Sequence, residues 1–165
     1  MDAPNVDASF GLTLGGRMPK PAERMRLDVL MKWLREKSST QGCTLYAKIF
    51  VNRPVDPDAS LKQLGWVMTM KKLGYRVYSK VRTTEDSDVD EDIVECNDYF
   101  VRQGRVAEIV LASNDGKRFN AILEILALSD IKITILGFDQ FPSSLTRNEL
   151  FEYVSYTSIP GIMPA

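Results

Sequence analysis

The segment AEIVLASNDGKRF, residues 107–119, contains the pattern that decides the fold. Residues 107–112 are nearly all apolar, as is typical of a strand buried on both faces of a sheet. From Phe119 to Leu128, apolar residues recur at the three- and four-residue spacing of an amphipathic helix. The polar turn SNDG, residues 113–116, separates the two patterns. A buried strand that is followed directly by a helix predicts one unit of a parallel α/β sheet.

The same alternation extends along the chain in both directions. Further strands are predicted where β-branched and aromatic residues are concentrated, at residues 45–51, 75–81 and 131–136. Further helices are predicted where apolar residues fall on one face, at residues 22–37, 60–73 and 93–101. Strands that alternate with helices indicate an α/β fold with a doubly wound parallel sheet and right-handed crossovers.

The 165 residues fit one domain, which we assign to residues 1–158. Residues 159–165 are expected to form a loose C-terminal tail. Near the other end of the chain, glycines and prolines predict a loop over residues 11–21, before the first helix. Asp58 or Ser60 is expected to cap the helix at 60–73.

Composition limits the chemistry that this chain can perform. It contains no histidine, which excludes Ser-His-Asp and Cys-His nucleophilic sites and the usual Cys/His zinc sites. The two cysteines, Cys43 and Cys96, do not form a CxxC pair. The formal net charge is only −1, so a nucleic-acid partner would have to be held by a local basic patch. Catalysis would therefore depend on carboxylates, lysines, hydroxyls or a metal.

The N-terminal residues lack the charged and then apolar pattern of a signal peptide, and no apolar stretch has the length of a membrane span. The sequence therefore predicts a cytoplasmic protein that has no membrane partner.

Acidic and amide side chains follow several of the predicted strands. Asn114 and Asp115 follow residues 107–112, the run EDSDVDED at 85–92 follows the strand at 75–81, and GFD at 137–139 follows the strand at 131–136. In a parallel α/β sheet the ligand site lies beyond the carboxyl ends of the strands, so these segments are expected to meet.

The segment DAPN, residues 2–5, precedes the Gly-rich loop and is predicted to be the exit of a first strand. Asp2 and Asp115 would then meet one or more of Asp88, Asp90 and Asp92 at the same edge of the sheet. A carboxylate cluster without histidine suits Mg²⁺ or Mn²⁺, which prefer oxygen ligands.

Each of these motifs also has a purely structural interpretation. Ser87 and Asp90 resemble a capping box, and acids in a first helical turn complement the helix dipole. SNDG alone is also typical of an Asx turn after a strand. An EF-hand is excluded, because Glu91 stands where glycine is needed and Asn97 stands where the bidentate glutamate belongs.

Four segments in the same order resemble the conserved blocks of NYN-domain proteins, a branch of the PIN-like nuclease superfamily, and in particular the bacterial, actinobacterial-type members. These segments are DAPNVDASF at 2–10, DVDEDIV at 88–94, ASNDGKRF at 112–119 and ITILGF at 133–138. The resemblance covers almost the whole chain. It implies a PIN-like three-layer α/β/α sandwich around a mainly parallel sheet, a Mg²⁺ or Mn²⁺ site and endoribonuclease activity.

The resemblance also implies roles for individual residues. Asp2 and Asn5 correspond to the first acid and its companion amide, Asp90 to the acid that opens the third helix, and Asp115 to the acid after the fourth strand. The metal ligands would be Asp2, Asp90 and Asp115, with Asp88 and Asp92 as further candidates.

Two departures from the family pattern support a second interpretation, a non-catalytic module that binds RNA or protein. Lys117 stands where many members have a second acid, and only Met1 precedes Asp2 where the family has an apolar first strand. A sheet edge left by an absent strand could be filled by another chain, so a homodimer is a further expectation. A receiver-like phosphoacceptor is disfavoured, because adjacent acids after the first strand and a lysine after the fifth are missing.

RNA is the expected partner, and several side chains are candidates for contacting it. The basic candidates for the phosphate backbone are Lys80, Arg82, Lys117 and Arg118, with Arg17 and Lys20 in the first loop and the amide of Asn114 beside them. Ordinary solvated charge is the alternative for each of them. Tyr78, Phe10 and Phe138 are candidates for stacking on bases, with packing inside the protein as the alternative.

Overall fold

The computed structural model describes residues 1–17, 19–20, 23–81, 89–104 and 106–164. Helices and strands alternate through most of this part of the chain. The helices are α1 (Ala3–Thr13), α2 (Leu27–Thr40), α3 (Pro57–Leu73), α4 (Asp90–Arg102) and α5 (Gly116–Ala127). The strands are β1 (Lys48–Arg53), β2 (Arg76–Val81), β3 (Glu108–Ala112), β4 (Lys132–Gly137) and β5 (Glu152–Ser155). A short 3-10 helix, Tyr156–Ser158, follows β5.

The strands form two parallel groups that the start of the chain joins. β1 pairs with β2, and β3, β4 and β5 pair in that order. The amide of Phe50 in β1 donates to the carbonyl of Met1 at 2.9 Å, and the amide of Asp2 donates to the carbonyl of Ala112 in β3 at 3.0 Å. Met1 and Asp2 therefore lie between β1 and β3. We call this junction the seam.

Helices cover both faces of the strands. Ile49 and Val51 of β1 belong to a core that includes residues of α1 and α2, whereas Phe50 between them belongs to a second core that includes residues of α4 and α5. This alternation follows from the two-residue period of a strand, which directs neighbouring side chains to opposite faces. The predicted α/β class, a parallel sheet between two helical layers, is confirmed.

Local signals explain where α3 begins and ends. The side chain of Asp56 accepts a hydrogen bond from the amide of Ala59 at 2.7 Å, and Pro57 occupies the first turn, where its missing N–H costs nothing. The prediction of Asp58 or Ser60 as the cap was therefore wrong by two residues or more. Gly74 ends the helix with φ of 102°, a left-handed conformation that glycine adopts without strain.

The structure corrects two predictions near the chain ends. Residues 2–5 were expected to be the exit of a strand, and residues 11–21 a loop. Asp2 does form a parallel bridge with Phe50 of β1, but α1 begins directly after it at Ala3 and extends to Thr13, into the expected loop. Asp2 caps this helix and Pro4 occupies its first turn, which is the usual start signal. The loose tail expected at 159–165 is also wrong, because Ile159 and Ile162 are buried in the core beside α1 and α2.

The amino-terminal ends of β3, β4 and β5 carry a charged cluster. It lies at the opposite end of β3 from Ala112, to which Asp2 is bonded. The hydroxyl of Thr134, fully buried in β4, lies 2.5 Å from a carboxylate oxygen of Glu108 and 2.9 Å from one of Glu152. The ammonium of Lys132 lies 2.7 Å from Glu152, and that of Lys37 on α2 lies 3.2 Å from Glu108. The hydrogen bond from Lys132, more than any other contact, lowers the pKa of Glu152 to about 2.

Within the described ranges, none of the helices has both the length and the apolar character that a bilayer crossing requires.

Candidate functional site

Backbone and side-chain hydrogen bonds hold Asp2 at the seam. Its backbone amide donates to Ala112, its Oδ1 accepts from the amide of Asn5 at 3.2 Å, and its Oδ2 accepts from the hydroxyl of Ser113 at 2.9 Å. The residue is only 2% exposed. Burying a carboxylate is costly unless donors compensate for the lost water, so this acid occupies a position that the surrounding donors fix closely.

Ser113 connects Asp2 to Asp115. Its buried hydroxyl donates to Asp2 and accepts a hydrogen bond from the amide of Asp115 at 3.1 Å. Asp115 caps α5, since its Oδ1 accepts from the amide of Lys117 at 3.0 Å. The predicted meeting of Asp2 and Asp115 at one edge of the sheet is thus observed as a chain of hydrogen bonds through Ser113.

Two amide side chains extend this group. The Oδ1 of Asn5, on α1, accepts from the backbone amide of Asn114 at 2.8 Å. The side-chain oxygen and nitrogen of Asn114 are both buried and have no hydrogen-bond partner among the described residues. Buried polar atoms are normally paired, so an amide with both ends unbonded marks a place where a ligand or water would be favoured.

Close packing fixes the loop that carries these residues. A Cβ added at Gly116 would lie 1.9 Å from the hydroxyl of Ser144 and 3.3 Å from its backbone nitrogen. A Cβ added at Gly137, at the end of β4, would lie 2.4 Å from the Oδ1 of Asn114. Glycine at both positions is therefore required by close approach, because it lets two neighbouring segments pack against the SNDG turn.

Asp90 is the first residue of α4 and is also only 2% exposed. Its neighbours Val89 and Ile93 are buried in the core shared by α4 and α5, together with Phe50 and Leu111. This packing fixes the start of α4 after β2, on the side of the sheet opposite α1. Asp88 and the rest of residues 82–88, including Ser87 of the predicted capping box and Arg82, lie outside the described residues.

Asp92 is directed toward β2. Its carboxylate accepts from the hydroxyl of Tyr78 at 3.1 Å and from the ammonium of Lys80 at 3.0 Å. Both contacts raise the pKa of their donors, since each hydrogen bond to a carboxylate favours the protonated form. The structure therefore pairs a predicted metal ligand with a predicted phosphate-binding lysine.

A groove of about 410 Å³ opens beside these residues. Its lining includes Tyr78, Asp92, Lys48, Arg76 and Cys96. The ammonium of Lys48 lies 3.1 Å from the sulfur of Cys96, and the ring of Tyr78 is 46% exposed and packs against Phe50 with ring centres 5.5 Å apart. The lining thus combines charges of both signs with an accessible aromatic ring.

The other basic candidates differ in how they are placed. Lys117 and Arg118 are exposed in the first turn of α5, directly after Asp115. Arg17 forms a bidentate pair with Glu23 at 2.7 and 2.8 Å, which lowers the pKa of Glu23 to about 2. Lys20 lies in the same loop, where its backbone amide also donates to Glu23.

The two phenylalanines considered for base stacking are part of the interior. Phe10 and Phe138 are 2% and 1% exposed, and their rings stack with centres 5.7 Å apart. Asp139, the acid of the GFD segment, is bound to β5 and the residues after it. It accepts from the hydroxyls of Ser155 at 2.7 Å and Tyr153 at 3.0 Å, and the Ser155 bond most of all lowers its pKa.

We call the group of Asp2, Asp115, Asn5 and Asn114, joined through Ser113 at the carboxyl end of β3, the acidic edge. Its possible metal ligands are carboxylate and amide oxygens, the type that Mg²⁺ and Mn²⁺ prefer. The backbone amide of Lys117 donates to one carboxylate oxygen of Asp115. The side-chain oxygen of Asn114 has no hydrogen-bond partner among the described residues, so it could serve as a ligand. Within the described residues, no three acidic or cysteine side chains lie close enough together to hold one metal ion. The chemistry of the donors fits a hard cation, and a complete set of ligands would need acids beyond Asp2 and Asp115.

The sequence analysis missed the role of Ser113. The signal was present, because a serine between a buried strand and a capping acid can bond to both sides of the turn. Asp7 on α1, in the segment DAPNVDASF, was not among the predicted site residues. Burial raises the pKa of Asp7, and the positive charge of Arg24 acts in the opposite direction.

No protein-family model matches the chain, and no curated protein sequence matches it. The structure is similar to the crystal structure of a protein of unknown function from Vibrio parahaemolyticus, with a TM-score of 0.60. The sequences are 17% identical, and the match covers 92% of this chain and 88% of that one. At this identity the likeness supports the fold alone, over nearly the full length of both proteins.

Proposed function

We propose that this chain is a metal-dependent endoribonuclease that hydrolyses RNA phosphodiester bonds at the acidic edge of its sheet. The observation that carries the proposal is the hydrogen-bonded group of Asp2, Ser113 and Asp115, with Asn5 and Asn114 beside it. This group lies at the carboxyl end of β3, where ligands of parallel α/β sheets are bound. The resemblance of the four sequence segments to NYN-domain proteins points in the same direction.

Acidic residues would bind the metal ion in this mechanism. Asp2 and Asp115 would supply ligands to Mg²⁺ or Mn²⁺. Asp90, with Asp88 and Asp92 as further candidates, would complete the set only by moving closer to them, since no three acids within the described ranges lie close enough to share one ion. When bound, such an ion lowers the pKa of a coordinated water and stabilises charge on a phosphoryl group. Ser113 keeps Asp2 and Asp115 in a fixed relative position, which reduces the reorganisation needed when a ligand arrives.

Other residues would bind the substrate. Asn114 has a buried amide that is ready to bond a phosphate oxygen or a water. Lys117 and Arg118 would contact the phosphate backbone, since the N-terminus of α5 adds its own amide donors there. Tyr78 presents an accessible ring on which a base could stack.

The proposal is tested by cleavage of a fluorophore-labelled single-stranded RNA with Mg²⁺, Mn²⁺ or EDTA. Asp115→Asn and Asp90→Asn should each reduce the rate by more than about 100-fold, because each removes a carboxylate from the metal's surroundings. Asp139→Asn is the matched control, since Asp139 also follows a strand but is bound to Tyr153 and Ser155. Cleavage that survives both site variants would rule out this mechanism.

A second candidate function is a non-catalytic module that binds RNA. It is favoured by the exposed Lys117, a cation beside Asp115 where many NYN-domain proteins, which the sequence resembles, have an acid. Retention of the RNA, without cleavage, in Mg²⁺, Mn²⁺ and EDTA alike would support this candidate. The same binding assay with Lys117→Glu should then show weaker retention.

A further inference from the structure

The outer face of α3 is apolar. Leu61, Leu64 and Met68 are 66%, 51% and 49% exposed, although they are large hydrophobic residues. Their spacing of three and four residues places them in one row along the helix. We call these three residues the α3 stripe.

The inner face of the same helix is also apolar. Met70 is buried, and Trp66 packs against the core between α1, α2 and β1. At 100° per residue, Met70 lies about opposite the centre of the α3 stripe. A helix that covers a sheet normally has a polar outer face, so two apolar faces indicate that the outer one is covered by something else.

The stripe is self-complementary when two copies are placed antiparallel. If a twofold axis passes between Leu64 and Gly65, Leu61 of one copy faces Met68 of the other, and Leu64 faces Gly65. Gly65 is exposed, and a Cβ there would meet nothing within 4 Å, so the space beside it is open to receive Leu64 of the second copy. A large residue facing a small one is the arrangement that lets two helices interdigitate.

The charges at the two ends of α3 agree with the same arrangement. Asp58 is in the first turn, and Lys71 and Lys72 are in the last turn. The same twofold axis places Asp58 of one copy opposite Lys71 of the other. Because the relation is symmetric, two such pairs form for each contact, one at either end of the stripe. A parallel arrangement would instead place like charges together.

From the stripe, the open space beside Gly65 and the end charges, we propose that α3 is the interface of a homodimer, in which the α3 helices of two copies pack antiparallel about a twofold axis between Leu64 and Gly65. The contact uses a surface that the acidic edge does not include, so it is independent of the proposed nuclease activity.

The first test is the oligomeric state of the full chain, measured by sedimentation over a range of concentrations. Leu64→Glu should raise the dimer dissociation constant by about 30-fold or more, because it places a charge at the centre of the contact. Leu128→Glu is the matched control, since Leu128 is 75% exposed at the end of α5. A wild-type chain that stays monomeric at all concentrations, or a dimer that Leu64→Glu leaves intact, would overturn the proposal.

The second test examines the register. In a Cys43→Ser background, which removes the exposed cysteine, Leu61→Cys and Met68→Cys are purified separately. Oxidation should cross-link the mixture of the two variants much more than either variant alone. Equal cross-linking in the separate variants would overturn the antiparallel arrangement.

The third test uses charge. Asp58→Lys should weaken the dimer, and adding Lys71→Asp should restore it. Binding of a monomer to anionic lipid vesicles through Leu61, Leu64 and Met68 would show instead that a membrane surface is the partner, and would overturn the proposal.

Discussion

The hydroxyl of Ser113 donates to the carboxylate of Asp2 at 2.9 Å, although the two residues are 111 positions apart in the chain. The same hydroxyl accepts from the amide of Asp115. Ser113→Ala should therefore reduce the free energy of unfolding by about 1 to 3 kcal/mol, because it leaves a buried carboxylate with one donor fewer. Urea denaturation measures this change.

The control for that variant is Ser129→Ala. The hydroxyl of Ser129 donates to the carbonyl of Ile125 on the exposed surface of α5. Its loss should change the free energy of unfolding by no more than about 0.5 kcal/mol. Equal effects of the two substitutions would show that the Asp2 contact contributes nothing to stability.

Glycine to alanine substitutions should have opposite effects at two helical positions. Gly116→Ala forces a Cβ against Ser144 and should destabilise the protein by about 1 to 3 kcal/mol. Gly65→Ala meets no neighbouring atom and should stabilise α3 by about 0.5 to 1 kcal/mol, because alanine loses less backbone entropy. Both substitutions are measured by thermal unfolding. Gly65→Ala is combined with Leu64→Glu, which weakens the proposed dimer, so that the change in helix stability is separated from any change at the α3 stripe.

Asn114→Ala should separate stability from function. The buried amide has no hydrogen-bond partner among the described residues, so its removal should leave the free energy of unfolding unchanged or raise it by about 1 kcal/mol. RNA cleavage or RNA binding should fall at the same time, if the amide serves the substrate.

Asn120→Ala provides the contrast. The amide of Asn120 donates to Glu124 at 2.6 Å and accepts from Asn148 at 3.2 Å. Its loss should lower stability by about 1 kcal/mol and leave RNA cleavage unaffected. Normal activity in Asn114→Ala would remove this residue from the proposed site.

Glu152 should make the free energy of unfolding depend on pH in the acidic range. Its pKa in the folded protein is lowered to about 2 from the ordinary value of 4.5, mainly by Lys132. The folded state therefore favours the charged form, and this contribution is complete above about pH 4.5 and is lost as the pH falls toward 2. Because the side chain is 42% exposed, water screens the interaction, and we expect about 1 kcal/mol.

Glu152→Gln should thus be less stable than the wild type at pH 7 and should approach it near pH 2. Chemical denaturation at a series of pH values measures the difference. Lys132→Gln removes the partner and should flatten the same part of the pH profile. A difference between Glu152→Gln and the wild type that stays constant down to pH 2 would contradict the assignment.

Sequence patterns predicted the elements whose apolar residues had a clear period. The strand at 107–112 and the helix after it were predicted to within a few residues of β3 and α5, because one is apolar throughout and the other has an apolar face. β5 was missed, because four residues with a glutamate and a serine at the ends give no strand pattern.

The alternation of strands and helices also predicted part of the acidic edge. Strand order brings Asp2 and Asp115 together, and parallel topology can be predicted from the alternation of strands and helices. The function of Ser113 as the link depends on side-chain distances, which no sequence period encodes. The pairing of Asp92 with Lys80 is similar, since it follows from the orientation of α4 over β2.

The seam should be a site of local opening in this protein. Within the described residues, the backbone of Met1 and Asp2 supplies hydrogen bonds to both β1 and β3, so the two groups of strands are joined through a short piece of chain. Amide hydrogen exchange should be faster for Asp2 and Phe50 than for the interior of β4. Since Asp2 is bonded to Ser113, each opening of this junction would break the hydrogen-bonded group of Asp2, Ser113 and Asp115, and the proposed activity would require the closed state.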